Sequence, residues 1–232
     1  YIELSSFGDD LSGGGLGSSS SFTVALIKAI NLIKSNEISN YDAANLASEI
    51  EINDLKNPIG RQDQYLCSIG GINSIEFGRN GKVTLQKEEA LEKAILEFVD
   101  NLYLVNTYLK RSAFEKLSVI KKQANSFELI KNILEITDTF KSEYKKYTQS
   151  DLSLYLEETI IKSWNIKKSM KGVLSNDLID LEKILSTFSF KVIKLLGAGG
   201  GGYFLVKYVG NNIDNSKLEL NKYQINIENF KI

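Results

Sequence analysis

The sequence predicts an α+β architecture. Strand-like and helix-like segments alternate along its 232 residues, and two glycine-rich breaks sit between apolar runs as hairpin connections would. These breaks are GRNGK at Gly78–Lys82 and GAGGGG at Gly197–Gly202. The chain also changes character near Glu88, where short strands and turns give way to long amphipathic stretches, and this shift marks the expected domain boundary.

Residues 1–7, YIELSSF, alternate like an edge or hairpin strand. Because a mature domain seldom opens inside a strand, a further segment is expected ahead of Tyr1. Next comes Gly13-Gly14-Gly15-Leu16-Gly17, then the serines Ser18 to Ser21, then FTVALIKAINLIK. Val24, Ile27, Ile30 and Ile33 recur every three residues, so a helix should open directly out of the glycine turn. A second helix is expected over Ser39–Asp54, capped by Ser39 with Asp42 three residues on, and striped by Ala43, Ala44, Ala47 and Ile50. Pro58 lies beyond its end. Gly60–Phe77 reads as loop, then short strand. One strand, NLYLVNT, precedes amphipathic stretches over Ser112–Tyr147 and Asp151–Met170. A helix at Asp177–Phe188 leads to strands KVIKLL and YFLVKYV around the second glycine run, and the chain closes on a short helix and an edge strand, LNKYQINI.

Composition excludes several chemistries. The chain has no His and one Cys, Cys67. A His-based serine triad, a His-ligated metal and a cysteine zinc cluster are therefore ruled out. A single Cys forms no internal disulfide, which fits a reducing compartment, and a cytoplasmic location is expected. Lys and Arg number 28 against 29 Asp and Glu, so no global field steers the protein to nucleic acid. The lysine pairs at 121–122, 145–146 and 167–168 are expected on solvated helix faces. No apolar run reaches the length of about 20 residues of a membrane span. Proton chemistry is left to Asp, Glu, Lys or Tyr, and any cation would be a hard one held by oxygen.

Four features could carry chemistry. Glycines permit positive φ and close approach, and the helix start after Gly17 leaves N–H groups pointing forward, as phosphate binding requires. A flexible glycine-serine linker is the alternative, although linkers seldom run straight into an apolar-periodic helix. The loop is not a Walker motif, since no GK[ST] follows. Glu51 shares the inward face of Ala44 and Ala47 and needs a partner there: a salt bridge, a helix-end hydrogen bond, or a metal opposite the serines. Asp63, in the polar cluster RQDQY before an apolar strand, is either a turn aspartate or a candidate base. The four consecutive glycines at 199–202 exceed a two-residue turn and suggest backbone pressed against a ligand or another loop. Cys67, Trp164 and Met170 are read as packing residues.

Three motifs in order, GGGLGSSSS opening a helix, IEINDL followed by GRQDQY, and KLLGAGGGGYF, resemble the GHMP kinases. QDQY, GGINSIEF, NLYLVNTYLKRSA and SWNIKKSM resemble, within that superfamily, the D-glycero-D-manno-heptose 7-phosphate kinases. The likeness runs from Ser12 to Tyr208. It implies a two-lobed α+β fold: residues 1–88 as the remainder of an N-terminal ATP-binding lobe of the ribosomal S5 domain 2-like type, and residues 89–232 as a C-terminal lobe with a ferredoxin-like core. It further implies that the family's first motif lies before Tyr1.

The resemblance also implies roles. Gly13, Gly14, Gly15, Leu16, Gly17, Ser18, Ser19 and Ser20 match the phosphate loop, while Gly199 and Gly200 fall in the third motif, which braces the nucleotide. Ser19 and Glu51 match the Mg²⁺ ligands, Asp63 the catalytic acid, and Arg111 falls near the sugar phosphate. Leu11 stands where Pro is common, and Asn106-Thr107-Tyr108 lacks the Gly often found after Thr. The implied partners are ATP and a sugar phosphate, with neither nucleic acid nor membrane, and a homodimer is allowed. The implied reaction is transfer from ATP to the anomeric hydroxyl of the heptose 7-phosphate, giving the 1,7-bisphosphate. Rivals are an L-fucose or galactose 1-kinase and a truncated, non-catalytic nucleotide-binding fragment.

Overall fold

The computed structural model of the protein describes residues 16–100, 102–109 and 126–229. The expected first strand, Gly13 to Gly15, Arg111, the Lys121-Lys122 pair and the start of the 112–147 stretch lie outside them. The chain divides into two compact units, Tyr1–Glu89 and Ala90–Ile232.

In the first unit, Gly17 takes the left-handed conformation (φ 76°) and opens α1 (Ser18–Ile33). Val24 and Ile27 of α1 bury against Ala43 and Ala47 of α2 (Asn40–Glu49), whose small side chains let the helices approach closely. Ser39 caps α2: its Oγ accepts the Asp42 N–H at 3.0 Å and donates to the Asp42 carboxylate at 2.6 Å. The helix expected to run to Asp54 instead widens into a π turn at Ile50–Asp54.

A second difference lies at Gly60–Phe77, read from sequence as loop then strand. Residues Gln62–Ile69 form a helix, α3, and only Asn73–Phe77 is strand, β1. The buried side chains of α3 are Gln64, Tyr65 and Ser68, two of them polar, so its inward face carries no apolar stripe to announce it. β1 pairs antiparallel with β2 (Val83–Lys87), from Asn73↔Lys87 to Phe77↔Val83, across the anticipated break at 78–82. Tyr65, Ala44 and Val83 form a small core beneath this hairpin.

The second unit opens on α4 (Glu89–Val99), a helix absent from the sequence reading although Leu91, Ala94 and Phe98 supply its buried stripe. β3 (Leu102–Asn106), α5 (Ser126–Glu143), α6 (Gln149–Lys168), α7 (Asn176–Thr187), β4 (Phe190–Leu195), β5 (Tyr203–Tyr208), α8 (Ile213–Lys222) and β6 (Ile227–Asn229) follow. The sheet order is β4-β5-β3-β6, antiparallel throughout. Same-direction strands separated by an intervening one make this the split βαβ, ferredoxin-like arrangement.

One sheet face supplies Val105, Phe190, Leu195, Phe204 and Val206 to a core shared with Trp164, Met170, Leu178 and Leu185. On the opposite face Leu102, Ile193 and Leu205 meet Phe98 of α4 and Leu156, Ile160 and Ile161 of α6. The apolar readings of Trp164 and Met170 agree with this placement.

The lysine pair at 167–168, expected on a solvated face, is tied down. Lys167 Nζ donates to the Gly197 carbonyl at 2.5 Å, and Lys168 lies 3.5 Å from Glu182. That contact fastens α6 to the second glycine turn. The turn also meets neighbouring backbone: Gly200 N–H donates to Val173 O at 2.6 Å, and Gly202 O accepts both the N–H (2.9 Å) and the hydroxyl (2.8 Å) of Thr107. A Cβ on Gly199 (φ 99°) would stand 2.7 Å from Val173 Cα, and one on Gly201 would strike the Leu109 carbonyl. The glycines there are required by packing against other segments of the same unit.

Candidate functional site

The site is built around Glu51, whose side chain is 1% exposed inside the first unit. The inward stripe of α2 carries into the π turn and delivers this carboxylate to the start of α1. There it accepts from Ser20 Oγ at 3.1 Å and from Gln64 Nε2 on Oε2, and from Thr23 Oγ1 at 2.8 Å and Ser19 Oγ at 3.3 Å on Oε1. Every one of these donors is neutral. In place of the salt bridge that was one of the partners left open for Glu51, the structure supplies side-chain hydroxyls and an amide.

Helix geometry explains the serine side of the cluster. Ser19 and Thr23 are four residues apart and share a face, with Ser20 beside them. Thr23 Oγ1 also lies 3.1 Å from Ser19 O. The first N–H groups of α1 have no intrahelical acceptor, and the Ser21 N–H is the one that returns to Gly17 O, at 2.9 Å. The mouth of α1 therefore offers amide donors and the positive end of a helix dipole beside a buried carboxylate. Leu16, Gly17 and Ser18 are half-buried around that mouth, and Ser19 is exposed.

Asp63 stands on the first turn of α3, not in a loop, and is exposed. Its position relative to the mouth is reported by Cys67. The Cys67 Sγ lies 3.8 Å from Gly17 O, against the residue that caps α1. Burial pushes this thiol up from its ordinary value, and the negative charges of Asp63 and Glu51 push it further. Asp63 and Cys67 are four residues apart on α3 and share one of its faces, the face whose Cys67 meets Gly17. Cys67, expected to be a packing residue, is exposed at that point. Tyr65, also on α3, donates to Asn45 Oδ1 at 3.0 Å, and burial beside Tyr41 pushes its phenol up to about 12.

Sequence reasoning missed Thr23 and Gln64. Thr23 was signalled only by its i+4 spacing from Ser19, and Gln64 by being the polar residue on the inner side of an unrecognised helix. Gly199 and Gly200 lie in the second unit, in the glycine turn described above; Gly13, Gly14, Gly15 and Arg111 fall outside the described residues.

The donor set can be tested against a cation. A carboxylate with neighbouring hydroxyls, and no sulfur or imidazole, suits a hard ion such as Mg²⁺, which takes one or two carboxylates and fills its shell from phosphate and water. Among the described residues no three carboxylates or thiols gather into a self-sufficient metal cage. Glu51 and Ser19 accordingly fit Mg²⁺ carried with a phosphate substrate.

The family model for the GHMP kinases N terminal domain matches residues 5–71. A D-glycero-alpha-D-manno-heptose 7-phosphate kinase of Campylobacter jejuni is 29% identical over 203 residues, 87% of this chain and 60% of that protein. A galactokinase of Thermococcus kodakarensis is 31% identical over 143 residues, 61% of this chain and 37% of that protein. The crystal structure of a D-glycero-D-manno-heptose 1-phosphate kinase from Bacteroides thetaiotaomicron superposes with a TM-score of 0.62 at 22% identity, over 95% of this chain and 61% of that one. The chain spans about three fifths of the heptose kinases it matches. Residues 5–71 thus match the model of the GHMP kinases N terminal domain, and the chain shares the α+β fold of the solved sugar kinase structure.

Proposed function

We propose that the protein is an ATP-dependent sugar kinase that phosphorylates the anomeric hydroxyl of D-glycero-D-manno-heptose 7-phosphate to give the 1,7-bisphosphate. The carrying observation is the buried Glu51 carboxylate meeting Ser19, Ser20 and Thr23 at the open end of α1. In this reading the triphosphate lies on the amides of Ser18 to Ser20, and Glu51 and Ser19 hold Mg²⁺. The cation supplies neutralising charge to the phosphate oxygens. Asp63 accepts the proton of the anomeric hydroxyl as its oxygen bonds to the γ-phosphorus and the bond to ADP breaks. Holding the two reactants in line, rather than covalent chemistry, supplies most of the acceleration.

The choice of heptose is supported by the similarity to a heptose 7-phosphate kinase over 87% of the chain; the galactokinase match covers less of it. A panel of the heptose 7-phosphate, L-fucose and galactose, followed by ADP release, tests the assignment. Turnover of the free sugars without the heptose phosphate would refute it. Asp63→Asn is expected to lower kcat by about a thousandfold while ATP binding stays within about threefold; unchanged turnover would remove Asp63 from the role of base.

A further inference from the structure

The two oxygens of Glu51 are held differently. Oε2 receives Ser20, 4% exposed, and Gln64, 0% exposed, so it is sealed by interior donors. Oε1 receives Thr23 and, at the longer distance of 3.3 Å, the exposed Ser19. The carboxylate is thus clamped through one oxygen and shares the other with the side chain at the open end of α1.

Gln64 reaches this carboxylate from α3, where it directly follows Asp63. Consecutive helix positions point about 100° apart, which lets Gln64 face the interior while Asp63 faces out. Its amide is costly as filler. Gln64 Oε1 is buried and has no hydrogen-bond partner, and an unmet buried carbonyl is destabilising. Leu or Met would fill the same volume without that penalty. What they lack is the N–H that meets Glu51.

We propose that Gln64 is a positioning residue. With Ser20 it fixes Oε2, so that Oε1 is presented to the cation beside Ser19, and it joins the metal-binding carboxylate to the helical turn that bears Asp63. The inference deepens the kinase reading and rests on it. Partners that orient a ligating carboxylate typically change metal affinity by about 10–100-fold when removed.

The test uses the full chain with Mn²⁺ and ADP, reading Mn²⁺ affinity by electron paramagnetic resonance alongside kcat, KM and melting temperature. Gln64→Leu is expected to weaken Mn²⁺ binding at least about tenfold and to lower kcat with little change in the sugar KM. Metal-free ADP binding should be retained. Gln64→Asn, whose amide stops one methylene short, should behave like the Leu variant. Ser20→Ala removes the other clamp with minimal change of volume and should also weaken Mn²⁺ binding. Wild-type Mn²⁺ affinity in folded Gln64→Leu, or a loss confined to melting temperature, would overturn the inference. Should Gln64→Leu not fold, unchanged Mn²⁺ binding in Ser20→Ala would do so. A wild-type chain that binds neither ADP nor Mn²⁺ would overturn the kinase reading and this inference with it.

Discussion

Two of the buried glutamates, Glu51 of the first unit and Glu157 of the second, are held in opposite ways. Glu157 on α6, 7% exposed, is gripped by Lys191 and Lys207, each at 2.7 Å. Burial works against its charge, but the hydrogen bonds from both lysines outweigh that and hold its carboxyl below the ordinary glutamate value. Glu51 is more deeply buried, and its donors are three hydroxyls and one amide. Neutral donors orient a carboxylate without cancelling its charge, so Glu51 keeps a field to offer a cation from outside. Glu157 spends its charge inside the protein. In the proposed reading this difference, which burial alone does not express, sets Glu157 apart as a structural acid and Glu51 as a cation ligand.

Exchanging the acids for amides breaks the comparison most directly. Glu51→Gln should lower kinase turnover by about a thousandfold and raise the Mg²⁺ requirement, with stability changed by under about 1 kcal/mol. Steady-state kinetics and denaturant melts would check both halves; a large stability loss with normal turnover would make Glu51 the structural member. Glu157→Gln should show the converse, losing about 1–2 kcal/mol with turnover per folded molecule nearly unchanged, the loss tempered because Lys191 is 48% exposed.

Acid sharpens the contrast. A depressed folded value means that the Glu157 contribution is complete above the unfolded value of 4.5 and disappears as pH falls through the lower folded value. Denaturant melts from pH 7 to pH 3 should therefore show the wild type and Glu157→Gln converging below that point, and parallel curves would contradict the pairing. The smallest effect is expected of Thr23→Val, which removes one neutral donor to Glu51 Oε1 at nearly constant volume. Metal affinity should fall by only about two- to fivefold, read by Mn²⁺ titration.

The Glu51 side of this contrast was legible in the residues. Ala44 and Ala47 placed Glu51 inward, and the serines after Gly17 placed hydroxyls at a helix start; the structure joins the two through Ser19 and Ser20. Ser39 with Asp42 marked the start of α2, and Gly78–Lys82 marked the turn between β1 and β2. What escaped notice lay where inward positions are polar. Gln64 and Ser68 face the core of α3 in place of aliphatic side chains, so hydrophobic periodicity had nothing to register. The stripe of α4 was present and overlooked. The fastening of Gly199 and Gly201 against Val173 and Leu109 joins segments distant in sequence, and no local pattern encodes such a meeting.

The strand order of the second unit has a consequence during synthesis. β3 pairs with β5 and β6, so Leu102 must wait for Lys207, and Val105 for Ile227. As the chain leaves the ribosome from its N-terminal end, the carboxylate, serines and Gln64 of the first unit are all available before β3 has either neighbour. At about 5–20 residues per second, that strand stays unpartnered for several seconds. Its sequence, LYLVN, is apolar and uncharged, the kind of open edge that recruits other chains. The interval before Tyr203 emerges is thus when a nascent copy is most exposed to clumping, and slowing translation beyond Asn106 should lengthen it.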